Sequence, residues 1–163
     1  MLGKTHFAAG VCAGAVLTYG GQLEPKQAIL AIAGTALGSL LPDIDHRNST
    51  ISHAVKPVGV VVSAVAGHRK LLHNAAFYAA VFAALFILKR DVAMLCVPLF
   101  IGIATHLFLD ALNPAGIPVF KWRLHLAKIR TGSTTDRAVR VFCSILAEYY
   151  LIFFALRQIY NFL

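Results

Sequence analysis

Charge is scarce in this chain. Asp, Glu, Lys and Arg make up 13% of its 163 residues, 58% are hydrophobic, and the mean hydropathy is +0.72. A soluble domain ordinarily carries about 25% charged and about 45–50% apolar residues. So few charges cannot clothe a surface in water, and much of the exterior has to face lipid. Acids are the scarcest of all, seven against 15 Lys and Arg, for a net charge of +8. That balance ordinarily raises nucleic acid as a partner, but an Arg-rich helix, an aromatic-basic platform and a low-complexity basic tail are all missing. A membrane protein keeps such Lys and Arg in cytoplasmic loops to fix its orientation, so no nucleic-acid partner is expected. Cysteine is rare too: Cys12, Cys96 and Cys143 stand singly in apolar runs without CxxC spacing. This excludes a full disulfide framework and makes them small buried hydrophobes. There is no internal repeat, and the length leaves room for one domain, residues 1–163.

Five apolar stretches remain as membrane helices: residues 7–20, 27–41, 73–88, 92–112 and 141–163. The first superficially resembles a signal peptide, but no convincing cleavage site follows and it reads as a retained helix. Pro25 suits a helix start and Pro42 a helix end. The first three stretches are shorter than the ~20 residues that cross a bilayer comfortably. A sixth stretch, residues 58–66, is too short to span and reads as re-entrant or interfacial. The fold class expected is therefore all-α, a membrane-embedded helical bundle of about five spans. With the N-terminus in the cytoplasm, that side receives Lys4, Arg47, Lys56, Arg69, Lys70, Lys121, Arg123, Lys128, Arg130, Arg137 and Arg140. The other side receives Lys26, Lys89 and Arg90, an asymmetry that follows the positive-inside rule.

On this topology the polar residues sort to the cytoplasmic face. His6 begins the first helix, and Asp43, Asp45 and His46 follow the second in Leu-Pro-Asp-Ile-Asp-His. His68, Arg69 and His73 precede the third. His106 and Asp110 end the fourth, and His125 lies beyond, in the loop 113–140. His106 and Asp110 are four apart, so they share one helical stripe. Ionisable groups in a membrane helix are costly, and are usually paired, metal-bound or functional. The plain alternative for this pair is a His–Asp hydrogen bond joining two helices; for the Asp-Ile-Asp-His run it is a solvated turn. Imidazole with carboxylate suits Zn²⁺, Mn²⁺ or Fe. Arg69 among histidines points to a phosphate or carboxylate partner, or plainly to lipid headgroups. Asn113 is placed to add or orient a ligand, Asp136 and His125 to reach the site from the loop, and Glu148 to be an intramembrane partner or a lip residue.

The ordered set of an early His, Leu-Pro-Asp-Ile-Asp-His, Gly-His-Arg with a following His, and Thr-His-Leu-Phe-Leu-Asp with Asn-Pro-Ala-Gly resembles the YdjM-like family. These are bacterial inner-membrane proteins described as metal-dependent hydrolases, some of them LexA-regulated. More distantly, His6, Asp43, His68, His106 and Asp110 are similar in order to the zinc-dependent phospholipase C and single-strand nuclease superfamily. A late His-x-x-x-Glu pair of that superfamily has no counterpart, since Ser144 precedes Glu148 by four. The resemblance implies a helical inner-membrane hydrolase, with one or two divalent ions, zinc first, held among His6, Asp43, His46, His68, His73, His106 and Asp110. The substrate expected is a phosphoester of a membrane lipid or lipid-linked molecule at the cytoplasmic face. Asp43 or Asp45 would be the general base, and Arg69 would bind a phosphate oxygen. The rival classes are a metal-ion or proton transporter, whose polar groups should lie near the midplane, and a non-catalytic scaffold with a structural metal.

Overall fold

Small residues decide how closely the first helices lie. The computed structural model describes residues 1–45, 73–119 and 122–163. In it, α1 spans Gly3–Gly20 and α2 spans Pro25–Gly38. A side chain at Gly10 would run into Ser39 and the Thr35 carbonyl, and one at Gly14 into Thr35 and Ile32. Rising numbers on α1 meet falling numbers on α2, so the two are antiparallel. Thr35 and Ser39 are fully buried, and each returns its hydroxyl to its own helix, Thr35 to the Ala31 carbonyl at 2.9 Å and Ser39 to that of Ala36 at 2.8 Å. That local bond is how a small polar residue is tolerated in an apolar interface. The start of α2 is fixed by Pro25 in its first turn and by a reciprocal cap between Glu24 and Gln27, which satisfies otherwise orphaned N–H groups. Beyond α2, residues Leu41–Asp45 form one 3-10 turn around the buried Pro42.

α3 covers Ala75–Leu88 and is capped by the Asn74 side chain, which accepts from the Ala76 N–H at 3.0 Å. Residues 92–112, expected as one helix, are two: α4 (Arg90–Leu95) and α5 (Val97–Ala111). Pro98 has no N–H to donate, and its ring would clash with the carbonyl four residues back. The helix therefore restarts with Pro98 in its first turn. Gly34 faces Pro98, while Gly38 faces Leu99 and Gly102, so α5 runs parallel to α2. Tyr78 of α3 packs with Ile103, Leu107 and Ala111, and Phe82 meets Phe100 at 4.9 Å, so α3 runs against α5.

The loop 113–140 departs from the all-α expectation in its first part. β1 (Ile117–Val119) and β2 (Trp122–Leu124) pair antiparallel, Val119 opposite Trp122. Gly116, at φ +61°, makes the turn into β1, a conformation that favours glycine. α6 spans Thr134–Phe162 and so begins before residue 141. The Ser133 hydroxyl caps it by accepting from the Asp136 N–H at 3.2 Å. α6 packs on α1 through Cys12, Ala15 and Ala147, and the Arg157 guanidinium donates to Gln22 Oε1 at 2.9 Å.

The fold is thus mostly helical. Among the described residues, α6 alone is long and apolar enough to cross a membrane by itself, and nearly all of that stretch is exposed; α3 and α5 are shorter apolar helices. Helix length therefore gives one span rather than five. Residues 58–66 lie outside the described residues.

Candidate metal centre

Five side chains meet where α1 begins, α2 ends, α3 begins and α5 ends. They are His6, Asp43, His73, His106 and Asp110. Asp110 Oδ2 lies 3.3 Å from His106 Nε2 and 3.6 Å from His73 Nε2. Asp43 Oδ1 lies 3.5 Å from His73 Nε2 and 3.9 Å from His106 Nε2. The other oxygen of Asp110, Oδ1, lies 3.3 Å from His6 Nε2. His6 and His106 are fully buried and stacked, with centroids 3.9 Å apart and planes 19° from parallel. His73 stands edge-on to His106 at 5.5 Å.

Backbone and outer contacts orient these groups. The Nδ1 of His106 is 2.7 Å from the Ser39 carbonyl oxygen. A carbonyl only accepts, so Nδ1 carries the hydrogen and donates. This leaves Nε2 aimed at the two carboxylates, buried and without a hydrogen-bond partner among the described residues. Fixing a ligating imidazole through its other nitrogen is the usual arrangement at metal sites. Asp110 Oδ1 accepts from the Asn113 side chain at 2.9 Å and from the Met1 amino group at 2.9 Å. Asp43 is partly exposed. Burial works against its charge, but the contact with His73 and the proximity of His106 and His6 outweigh it, so the carboxyl is held below its ordinary range.

The distances suit a coordination set as well as a set of ion pairs. A charge-assisted N–H···O bond is about 2.7–2.9 Å long, and all five His–Asp contacts exceed that. Donors bound tetrahedrally at about 2.0–2.1 Å stand about 3.3–3.4 Å apart, close to the observed separations. Two overlapping donor groups result, His6 with His106 and Asp110, and Asp43 with His73 and His106, each within 4.8 Å. His106 has one free nitrogen and can serve one ion. An ion on it would draw on Asp43, His73 and Asp110 Oδ2, while His6 and Asp110 Oδ1 face a second position. The residues present therefore fit a divalent metal.

Of the residues singled out in the sequence, His6, Asp43, His73, His106 and Asp110 are brought together. Asn113 orients Asp110. His125 is exposed and outside both donor groups, and Glu148 is exposed on α6. Asp136 is fully buried away from the cluster, where it accepts from the Gly132 N–H at 2.7 Å and the Leu2 N–H at 3.3 Å. It holds the segment leading into His6. Asp45 closes the 3-10 turn, and His46, His68 and Arg69 lie outside the described residues. Sequence reasoning missed the Ser39 carbonyl and the Met1 amino group. Both are main-chain groups, and no residue type signals them. The capping role of Ser133 was legible in the Ser-Thr-Thr-Asp spacing.

Comparison with known proteins finds relatives over nearly the whole chain. Residues 1–159 match the family described as YdjM inner membrane protein. The Bacillus subtilis (strain 168) protein named "Uncharacterized protein YvsG" is 33% identical over 159 residues, covering 92% of this chain and 94% of that protein. "Inner membrane protein YdjM" of Escherichia coli (strain K12) is 32% identical over 106 residues, 58% of this chain and about half, 52%, of that protein. The protein of the same name from Shigella flexneri matches to the same extent. No solved structure matches. The chain belongs to the YdjM family of inner membrane proteins.

Proposed function

We propose that this protein is a membrane-embedded, metal-dependent hydrolase acting on a phosphoester of a lipid or lipid-linked molecule at the cytoplasmic face. The observation that carries the reading is the Nε2 of His106, without a hydrogen-bond partner among the described residues and aimed at Asp110 Oδ2 and Asp43 Oδ1 at 3.3 and 3.9 Å. Metal binding requires the imidazole without a proton on that nitrogen, and its lone pair then faces two carboxylates. Electron-rich atoms at that distance repel unless a cation lies between them, and zinc, manganese or iron suits this donor set. A bound divalent ion supplies Lewis acidity to the phosphoryl oxygens and lowers the pKa of water. His73, His106, Asp43 and Asp110 hold the first ion, and His6 with the second oxygen of Asp110 offers room for another. Asp43, the more exposed end of the cluster, or Asp45 two residues on, takes the proton from the attacking water. Arg69, close before His73 in the chain, pairs with a phosphate oxygen.

The same reading takes the protein as multi-pass. α1, α3 and α6 run one way and α2 and α5 the other, so the site residues at the ends of α1, α2, α3 and α5 lie at one end of the bundle. Exposed Lys4, Arg123, Lys128, Arg130 and Arg137 gather at that end, and Lys26, Lys89 and Arg90 at the opposite one, which supports a cytoplasmic site. The short α2 and α3, about 21 Å each, go with local thinning of the bilayer.

The test is metal content by mass spectrometry on detergent-purified wild type and on His106→Ala/Asp110→Ala, followed by phosphoester hydrolysis. One or two equivalents in wild type, lost in the variant, and metal-dependent product release are expected. A wild type that cannot be loaded with metal would sink the proposal. Ion flux into liposomes without product release would favour transport instead.

A further inference from the structure

The hairpin that follows the site helix has one side turned inward and one turned out. In β1, Ile117 is buried against Tyr78, Ile103, Leu107 and Ala111. In β2 every residue is exposed: Trp122 at 81%, Arg123, and Leu124 at 44%, followed by exposed Leu126. An indole this bare is costly in water, and an indole with leucines beside cations is what the boundary between headgroups and acyl chains favours. The charge is of one sign. From residue 111 to residue 135 there is no Asp or Glu, while Arg123, Lys128 and Arg130 are exposed.

This surface is also pinned to the metal cluster. The Leu126 N–H donates to the Ala111 carbonyl at 2.8 Å and the Ile129 N–H to that of Leu112 at 2.9 Å, closing the end of α5 one residue past Asp110. The Arg123 guanidinium donates to the Ala115 carbonyl at 2.6 Å. Whatever depth Trp122 takes in a bilayer therefore sets the depth of Asp110 and His106.

We propose that the β1–β2 hairpin is an interfacial anchor for anionic phospholipid, with Trp122, Leu124 and Leu126 entering the leaflet and Arg123, Lys128 and Arg130 meeting its phosphates. The surface belongs to a protein of an inner-membrane family, so the lipid is at hand. The inference does not depend on metal or on hydrolysis.

Trp122 is the only tryptophan in the chain, so the wild-type protein reports on itself. Reconstituted vesicles would be made of phosphatidylcholine alone or mixed with phosphatidylglycerol. Either lipid would be brominated on the upper part of its acyl chain, and aqueous acrylamide would be the opposing quencher. The expected result is emission shifted to the blue of free tryptophan, strong quenching by bromolipid and weak quenching by acrylamide. Brominated phosphatidylglycerol should quench more than brominated phosphatidylcholine, and Arg123→Ala/Lys128→Ala/Arg130→Ala should erase that difference. Emission like that of free tryptophan, quenched by acrylamide and indifferent to bromolipid, would overturn the proposal. Equal quenching by the two bromolipids in wild type would overturn its charge selectivity. Either failure leaves the metal reading untouched, since the measurement is made without added metal.

Discussion

Asp43→Asn separates a metal centre from a cluster of plain ion pairs. Asn keeps the volume and shape of the side chain and removes one anionic donor. Because Asp43 Oδ1 is 3.5 and 3.9 Å from its two imidazoles, no short hydrogen bond is lost with it. A four-ligand zinc site contributes about 10–16 kcal/mol, so one donor accounts for about 2.5–4 kcal/mol, or about a hundred- to a thousandfold in Kd. At a zinc concentration a hundred times the wild-type Kd, the ion stabilises the fold by about 2.7 kcal/mol. Nearly all of that vanishes in the variant, whose Kd then lies at or above the zinc present. On the scale of domains of this length, about 2–4 °C per kcal/mol, the metal-induced rise in Tm is about 5–11 °C in wild type and close to zero in Asp43→Asn. The assay is thermal unfolding in detergent, with chelator and with zinc, on both proteins. In chelator the variant loses only what the neighbouring imidazoles give the Asp43 carboxylate, and the metal-induced rise is what separates the two proteins. If Asp43→Asn lowers Tm equally with and without metal, the carboxylate is only an ion-pair partner and the reasoning fails.

Other positions test the frame around the cluster. A Cβ on Gly102 would stand 2.8–2.9 Å from main-chain atoms of Ser39 and Thr35, with no flexible side chain to yield. Gly102→Leu should therefore cost about 1–3 kcal/mol as overpacking and lower metal content by moving Ser39 and Asp43 away from His106, both read on one purified sample. His125→Ala should leave metal content unchanged, whereas His73→Ala should weaken binding at least tenfold by isothermal titration; equal effects would mean that the cluster is drawn wrongly. Asp136→Ala leaves the part-buried N–H groups of Leu2 and Gly132 without their acceptor. It should cost about 1–3 kcal/mol in thermal unfolding, and exchange at Leu2 should quicken by hydrogen–deuterium mass spectrometry.

How much of this was legible depends on which residues carry the signal. Apolar runs bounded by Pro25, Pro42 and Gly20 located α1 and α2 within a few residues, because proline and glycine act on the backbone directly. The His106–Asp110 pair was legible from its spacing, since residues four apart on a helix share a face. Asp43 was legible because the residues after Pro42 leave the helix where the His73 and His106 ends arrive. The break at Cys96 could have been read from Pro98, but hydropathy averaged over residues 92–112 conceals it. The hairpin could not, because Ile117-Pro118-Val119 and Trp122-Arg123-Leu124 are three residues each, too short for alternation to stand out. Nor could the Ser39 carbonyl, which any residue at position 39 would supply.

The location of the cluster bears on the choice between hydrolysis and transport. A carrier exposes its polar groups to each side in turn and keeps them near the midplane, between broken, repeated helices. Here His6 is in the first turn of α1, Asp43 is beyond α2, His73 precedes α3 and Asp110 is one residue from the end of α5. The interior that would have to pass an ion onward is built from Ala15, Ala28, Ala31 and Ile103, with Thr18 and Thr35 buried among them. Thr35 is already spent on its own helix, and a lone hydroxyl at Thr18 is a poor relay for a divalent ion that prefers imidazole and carboxylate. Among the described residues, an ion held at the rim has no His/Cys/Asp/Glu donor group further along the bundle to move to, since both such groups lie at this end. On the proposed reading such an ion stays, and what moves is the molecule brought to it from the headgroup layer beside Trp122. Adding Asp at Ala15, in the middle of that interior, should therefore not create zinc flux into vesicles; if it did, the rim cluster would be the mouth of a path and the hydrolase reading would give way.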